Sequence, residues 1–301
     1  MKTIIFHCKI LTPAFIGEAQ RNAIELRPPA IKAALRYWWR AIRPQLCKEN
    51  DFSEMQYEYE EVGLFGGSRK EVKDNRLQEV AYKSAFSIIV QNIALTEGQQ
   101  KLLPHKPNNL PVPSFVSGSF DIVFYYQKEQ IRNKLLSLMR IVSVLGGLGK
   151  RARRGMGAFQ ILRIDGVDNS YNREALIEDL NCISESTDNV FSPSGNTITS
   201  SFTPIKPPDY PFIEEINIGT TVFTNNTLKT LAQATSDLNV QYGNGYANTM
   251  GSAMGFRLAS PVYTTIATLD GRTIVVITRL HNTKTQTPNS TLIQDFQNKL
   301  L

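Results

Sequence analysis

Apolar and polar residues alternate along KTIIFHCKIL at residues 2–11, with Ile4, Phe6, Cys8 and Ile10 on one side and Thr3, Ile5, His7 and Lys9 on the other. That period of two predicts a strand buried on one face, ended by Thr12 and Pro13. The period then lengthens. AIKAALRYWWRAIR at residues 30–43 reads as a helix, opened by Pro28 and Pro29 and closed before Pro44. An acidic run, DFSEMQYEYEE, follows and leads into a turn at LFGG, residues 64–67.

YKSAFSIIVQNI (82–93) and GSFDIVFYY (118–126) read as strands on either side of a Pro-rich loop, LPHKPNNLPVPS. Ile131, Leu135, Leu138, Val142 and Leu145 recur at spacings of three and four and predict a helix ending at Gly146 and Gly147. GAFQILRI (157–164) is again strand-like. The polar stretch SESTDNVFSPSGNTITSS at 184–201 reads as a linker or excursion. Beyond it, INIGTTVFT, SPVYTTIATL and TIVVITRL predict strands, the last two joined at Asp270 and Gly271, and residues 225–238 and 289–301 predict helices. Helices and strands mix in both halves, so the expected class is α+β. A length of 301 residues suits two domains of about 100 to 200 residues each. The division expected is 1–165, a linker or excursion over 166–200, and 201–301.

Composition narrows the function classes. With 42% hydrophobic and 20% charged residues the chain is globular in type, and no run approaches the roughly 18 apolar residues of a membrane span. The start, MKTIIFHCKILTPAF, breaks its apolar run at His7, Cys8 and Lys9 and shows no cleavage site, so a signal peptide is not expected. Cys8, Cys47 and Cys182 are too far apart for a zinc knuckle or a disulfide framework, which fits a reducing cytoplasm. Acids, histidines and cysteines never cluster with ligand spacing, so neither metal nor cofactor is expected. The net charge of +6 is unevenly placed: residues 1–164 carry 25 Lys/Arg against 14 Asp/Glu, and residues 165–301 carry 8 against 13. A polyanion would therefore meet the first half.

Two segments concentrate that charge. GGLGKRARRGMGAF, residues 146–159, holds Lys150, Arg151, Arg153 and Arg154 among five glycines and no acid. A nucleotide cradle needs strand, glycines, then helix, whereas here a helix precedes and a strand follows. Arg151 also replaces the Ser or Thr that would hold magnesium. Two readings remain open: a loop whose backbone and cations meet a sugar-phosphate chain, or a glycine cap whose cations only complement the helix dipole.

On the predicted helix, at about 100° per residue, Ile31, Leu35, Trp38 and Ile42 fall within about 60° of one another and form the core stripe. Lys32, Arg36, Arg40 and Arg43 share another face, and no acid occurs from residue 26 to 46. Trp39 projects between the two faces, as a stacking platform or as core, while Tyr37 points away.

LTPAFIGEAQRNAIELRPPAIKAALRYWWRA (11–41), LFGG, GGLGKRARRGMGAF and MGSAMGFRLASPVY (250–263), in that order, resemble the RAMP superfamily of CRISPR proteins. Within it they are most similar to the first-numbered RAMP subunit of type III-B (Cmr) effector complexes. Ala33 stands where glycine often follows the helix lysine. The resemblance implies two ferredoxin-like, RRM-related domains with antiparallel sheets, in a non-catalytic subunit of an antiviral ribonucleoprotein. The implied partners are the CRISPR guide RNA near its 3′ end, single-stranded target RNA and other Cmr subunits, with no membrane. Carried onto this chain, the implied RNA-binding positions are Lys32, Arg36 and Arg40, with Trp39 beside them, and Lys150, Arg151, Arg153 and Arg154. Gly147, Gly149, Gly155 and Gly157 shape the loop. Arg257, in MGFRLASP, is a further candidate on the more acidic half.

Some relatives cut guide RNA by metal-free acid-base chemistry, which needs a histidine near a 2′-hydroxyl. The alternative reading is therefore a guide-processing endoribonuclease using His7; His105 and His281 lack partner spacing. Target-cutting relatives use an aspartate after the first strand, where this chain has only Glu18 and Glu25. The expectation is a protein without catalysis, ahead of the ribonuclease and of an adaptor that binds no RNA.

Overall fold

The computed structural model describes residues 1–17, 24–43, 59–73, 76–185, 189–202, 210–224, 226–251, 259–281 and 289–301. The first unit runs β1 (Lys2–Ile10), α1 (Pro28–Ile42), α2 (Tyr59–Phe65), β2 (Gly67–Lys73), β3 (Arg76–Tyr82), β4 (Phe86–Lys101), β5 (Pro111–Tyr126), α3 (Glu129–Leu145), β6 (Phe159–Ile164) and β7 (Val167–Asp168). Then follow α4 (Arg173–Ser184), β8 (Phe191–Ser194), β9 (Thr197–Ser200), β10 (Ile213–Val222), α5 (Thr227–Tyr242), α6 (Asn244–Met250), β11 (Val262–Leu269), β12 (Arg272–Leu280) and α7 (Ser290–Asn298).

The first sheet has the order β4-β5-β1-β6-β7, with β1 antiparallel to both β5 and β6. With α1 after β1 and α3 after the β4–β5 hairpin, this is the ferredoxin-like order. The second sheet, β11-β12-β10-β9-β8, repeats it with one substitution. Strands β10, β11 and β12 with α5 and α7 follow the ferredoxin path, but the fourth position is filled by β9, which precedes β10 in the chain. The stretch expected as a linker or excursion, 166–200, is structured: β7 edges the first sheet, α4 buries Leu176, Leu180 and Ile183 in the shared core, and the β8–β9 hairpin extends the second sheet. Its Ser, Thr and Pro residues cover a sheet edge, where polarity and proline cost little.

Helix α3 explains how the two sheets share a core. The predicted stripe at Leu135, Leu138, Val142 and Leu145 is buried, but so are Met139, Ile141 and Val144 on the remaining circumference. Over its later turns, from Ser137 to Leu145, the helix is buried on nearly every side and so must be covered on every side. The first sheet covers one side, and Tyr263, Ala267, Ile274 and Val276 of β11 and β12 join the same core from the other. The alternate residues of those strands, Val262, Ile266, Val275 and Ile277, pack against α5, α6 and α7 in a second core. The order of layers is thus sheet, helices, sheet, helices. The continuous run IVVI in β12 follows from burial on both faces.

The Pro-rich loop is shorter than the sequence suggests. β4 and β5 pair out to Lys101 and Pro111, leaving 102–110 as the tip. There β5 has lost β1 as a neighbour, so Pro111 and Pro113 sit at an edge where a missing N–H breaks no ladder. No helix among the described residues is long and apolar enough to cross a membrane.

Candidate RNA interface

Helix α1 starts on Pro28 and Pro29, whose fixed φ and absent N–H suit a first turn. Its stripe of Ile31, Leu35, Trp38 and Ile42 is buried as its period requires. Its cations have different fates. Glu61, a residue of α2 with its side chain 1% exposed, takes Arg40 in a two-pronged pair: Nε to Oε2 at 2.8 Å and Nη2 to Oε1 at 2.5 Å. Arg36 donates Nη2 to the Gly66 carbonyl at 2.6 Å, and its Nε lies 3.4 Å from Glu61 Oε1. Burial lowers the Arg36 pKa, with Glu61 opposing and Arg40 adding to the shift. Arg43 pairs with Glu60 at 2.6 Å and Glu185 at 3.0 Å. The acidic segment after α1 therefore neutralises most of the basic face, and Arg40 in particular is a structural ion-pair residue rather than a free phosphate contact. Among the described residues of that face, Lys32 alone keeps its charge unpaired; its Nζ lies 5.3 Å from the Phe86 ring centroid, and burial followed by repulsion from Arg36 lowers its pKa.

Trp39 does not offer a stacking surface. It is 1% exposed, with its ring edge-on to Phe65 at 5.9 Å and the Arg43 guanidinium 4.9 Å from its centroid. The accessible aromatic is its neighbour Tyr37, edge-on to Trp38 at 5.4 Å and only half-buried. The Arg153 guanidinium lies 5.3 Å from the Tyr37 ring and 5.9 Å from the Tyr263 ring.

The glycine-rich loop between α3 and β6 is tied down on both sides. Gly146 N–H closes α3 on the Val142 carbonyl at 2.9 Å, and Lys150 N–H donates to Phe15 at 2.9 Å. Gly155 N–H donates to Thr264 of β11 at 2.8 Å, and Gly157 N–H to Pro13 at 2.9 Å. Two glycines are obligatory for this path. Gly157 has φ +69° and a Cβ there would meet the Leu148 carbonyl oxygen at 1.9 Å; Gly149 has φ +91° and a Cβ would meet the Phe15 oxygen at 2.5 Å. The close approach they permit is to the chain's own backbone, a different partner from the ligand that the sequence suggests.

The loop cations divide as the helix cations do, with carbonyls in place of acids. Arg154 is turned inward, donating to the carbonyls of Met250 at 3.1 Å and Val262 at 3.3 Å and to Ser260 Oγ at 3.3 Å. It bolts the loop to the second sheet and is not displayed to a phosphate chain. Arg153 donates to the Ser260 carbonyl while lying over its two tyrosines. Burial lowers the pKa of both Arg151 and Arg154. Lys150 is exposed. Among the described residues no carboxylate lies within ion-pair distance of Lys150, Arg151, Arg153 or Arg154. Arg257 lies outside the described residues.

What the fold brings together is a groove of about 820 Å³ between α1, the start of β4, the glycine-rich loop and the segment leading into β10. Lys32, Arg36 and Arg153 enter it with Tyr37, Phe86 and Tyr210. Cations beside aromatic surfaces are the combination that holds single-stranded nucleic acid. Tyr37 is not evident as a site residue in the sequence; a tyrosine between two arginine turns of a basic helix is the available signal, while Tyr210, 1% exposed, belongs to the core behind the groove wall. His7 stands apart, on the open face of the first sheet. Its Nδ1 is 2.6 Å from Asp121 Oδ1, and Asn92 Nδ2 donates to Asp121 Oδ2 at 2.6 Å.

The comparisons with known proteins agree with this architecture. The Cmr1 crystal structure from Pyrococcus furiosus, in its apo form, is similar over 100% of this chain and 97% of its own, with TM-score 0.61 at 15% identity. A chain of a type III-B Cmr-beta complex bound to cognate target RNA and AMPPnP, in the presence of ssDNA, covers 98% of both chains with TM-score 0.57 at 12% identity. A chain of Cmr-beta bound to cognate target RNA gives 0.55 at 12%, over 99% of both. No curated protein matches by sequence. The RAMP superfamily model matches residues 7–160, from the middle of β1 through the glycine-rich loop to the start of β6, and the chain belongs to the RAMP superfamily.

Proposed function

We propose that this chain is a non-catalytic RNA-binding and scaffold subunit of a type III-B (Cmr) CRISPR ribonucleoprotein, contacting guide RNA near its 3′ end and target RNA in antiviral defence. The observation that carries the RNA reading is the groove, which the unpaired Lys32 and the Arg153 held over Tyr37 both line, with the uncompensated Lys150 on the same loop as Arg153. The likeness in fold to chains of Cmr-beta bound to cognate target RNA, over nearly the whole length, supports the assembly. Backbone contacts of this kind carry no sequence preference and release counterions. Fluorescence-polarisation titration of single-stranded RNA across a salt series should show affinity falling steeply with salt, with the RNA intact afterwards on a gel. Salt-independent binding would remove the groove from consideration.

The His7–Asp121 pair favours a second reading, a metal-independent endoribonuclease, because a carboxylate on Nδ1 orients an imidazole for proton transfer at its other nitrogen. Cleavage of repeat-containing RNA in EDTA, lost in His7→Ala, would establish it over the scaffold reading.

A further inference from the structure

The loop that sends Arg153 into the groove sends Arg151 and Arg154 into a second cavity, of about 310 Å³. Three parts of the chain wall it: the β4–β5 hairpin tip with His105 and Lys106, the loop with Arg151 and Arg154, and helices α5 and α6 with Thr235 and Tyr246. Three observations make it more than a crevice.

The first is conformational. Arg151 has φ +61° in a loop that elsewhere meets positive φ with Gly149, Gly155 and Gly157. A side chain in that region costs about 1 kcal/mol, and glycine would remove the cost. The position holds an arginine against its backbone preference, which points to a use for the guanidinium.

The second is unsatisfied polar atoms. Arg151 Nε and His105 Nδ1 are buried with no hydrogen-bond partner among the described residues, and both residues border this cavity. A buried polar atom without a partner costs about 1 to 3 kcal/mol, and more when charged. The third is charge. Burial, then Lys106, then Arg151 lower the His105 pKa, and only Asp237 opposes them. The neighbours that act on Arg154 are Tyr246, Arg151 and Arg153, none of them a carboxylate.

A concave site that holds the Arg151 guanidinium with its unpartnered Nε, a lysine and an imidazole, with the carbonyl-bound Arg154 adding positive charge behind them and no carboxylate in its lining among the described residues, fits a tetrahedral oxyanion. We propose that this cavity binds a phosphate group, carried either by a small phosphorylated molecule or by the terminus of an RNA chain. Occupancy would join the hairpin tip to the second helical layer through one anion. The site is separate from the proposed RNA groove and does not depend on it.

His105 supplies the readout. A bound phosphate dianion favours the protonated imidazole, so the His105 pKa should rise on binding. In the full chain, NMR titration of the histidine ring signals, with His105 assigned through His105→Gln, should show a saturable upward shift with inorganic phosphate at matched ionic strength, His7 and His281 staying in place. A 5′-phosphorylated oligoribonucleotide compared with its 5′-hydroxyl counterpart separates the sources: a shift with inorganic phosphate alone indicates a small ligand, and a shift requiring the 5′-phosphorylated strand indicates an RNA end. Arg151→Asn tolerates the left-handed turn, so it should melt no lower than the wild type while weakening phosphate binding about tenfold or more. Failure of every phosphate source to move His105, or unchanged binding in Arg151→Asn, would overturn the proposal.

Discussion

The basic face of α1 and the glycine-rich loop look alike as strings of letters, each with four cations and no acid nearby in sequence. In the fold they are opposites. The helix face is closed by imported carboxylates, with Glu61 between Arg36 and Arg40 and Glu60 on Arg43, and only Lys32 stays unpaired among the described residues. The loop receives no carboxylate from the described residues; Arg154 and Arg153 commit their donors to carbonyls of the second half, while Lys150 faces solvent. A carboxylate cancels charge, whereas a carbonyl satisfies donors and leaves the charge in place. The loop therefore keeps a positive field even where its side chains are structurally committed, and the helix does not.

The largest effects should fall on stability at the helix. Trp39→Ala removes a fully buried indole from between Phe65 and Arg43 and should cost about 3 to 5 kcal/mol in denaturant unfolding. A near-wild-type midpoint would mean that the ring is free enough to stack on a base. Glu61→Ala leaves Arg36 and Arg40 facing each other without their shared acid, and should cost about 3 kcal/mol. Its RNA affinity should not fall, because it takes away negative charge.

Arg154→Ala comes next, at about 2 kcal/mol of stability, because it removes the hydrogen bonds to Met250, Ser260 and Val262 that hold the loop on the second sheet. Its salt slope for RNA should stay close to the wild type. Lys32→Ala and Lys150→Ala should do the reverse, leaving unfolding unchanged and each flattening the slope of log K against log salt by about 0.7 per single-stranded phosphate contact. If Arg154→Ala flattens the slope as much as Lys150→Ala, the inward guanidinium opens on binding and the distinction between the two kinds of loop cation fails.

Much of this fold was legible because periodicity reports burial directly. β1, α1, α3 and the β11–β12 hairpin with its Asp270-Gly271 turn all followed from it. The β8–β9 hairpin did not, since an edge strand of Ser, Thr and Pro carries no apolar alternation; the Gly195-Asn196 turn was its only signal. The site was legible as a set of cations but not as a set of free cations. Whether an arginine is available depends on partners that no local pattern shows: Glu61 lies 21 residues from Arg40, and the Met250 carbonyl 96 residues from Arg154. His7 and Asp121 met for a similar reason, as register partners on β1 and β5. Of the two roles left open for Trp39, stacking platform or core, its burial selects core, because α1 is covered by Phe65 of α2 on that side, whereas Tyr37, expected to point away, lines the groove.

The smallest effect is the most discriminating. The Tyr37 hydroxyl is buried and has no hydrogen-bond partner among the described residues, and burial raises its pKa while Arg153 opposes the shift. Tyr37→Phe keeps the ring under Arg153 and removes only the oxygen, so the free protein should be unchanged or more stable by up to about 1 kcal/mol. The ring still offers the same surface to a base. If the groove uses Tyr37 only for stacking and for holding Arg153, RNA affinity should be unaltered as well; if the hydroxyl is kept for a phosphate or 2′-hydroxyl, affinity should fall while stability rises. A fall in affinity without loss of stability, measured by polarisation and unfolding on the same preparation, would place RNA against the open flank of α1 and away from the face that Glu61 neutralises.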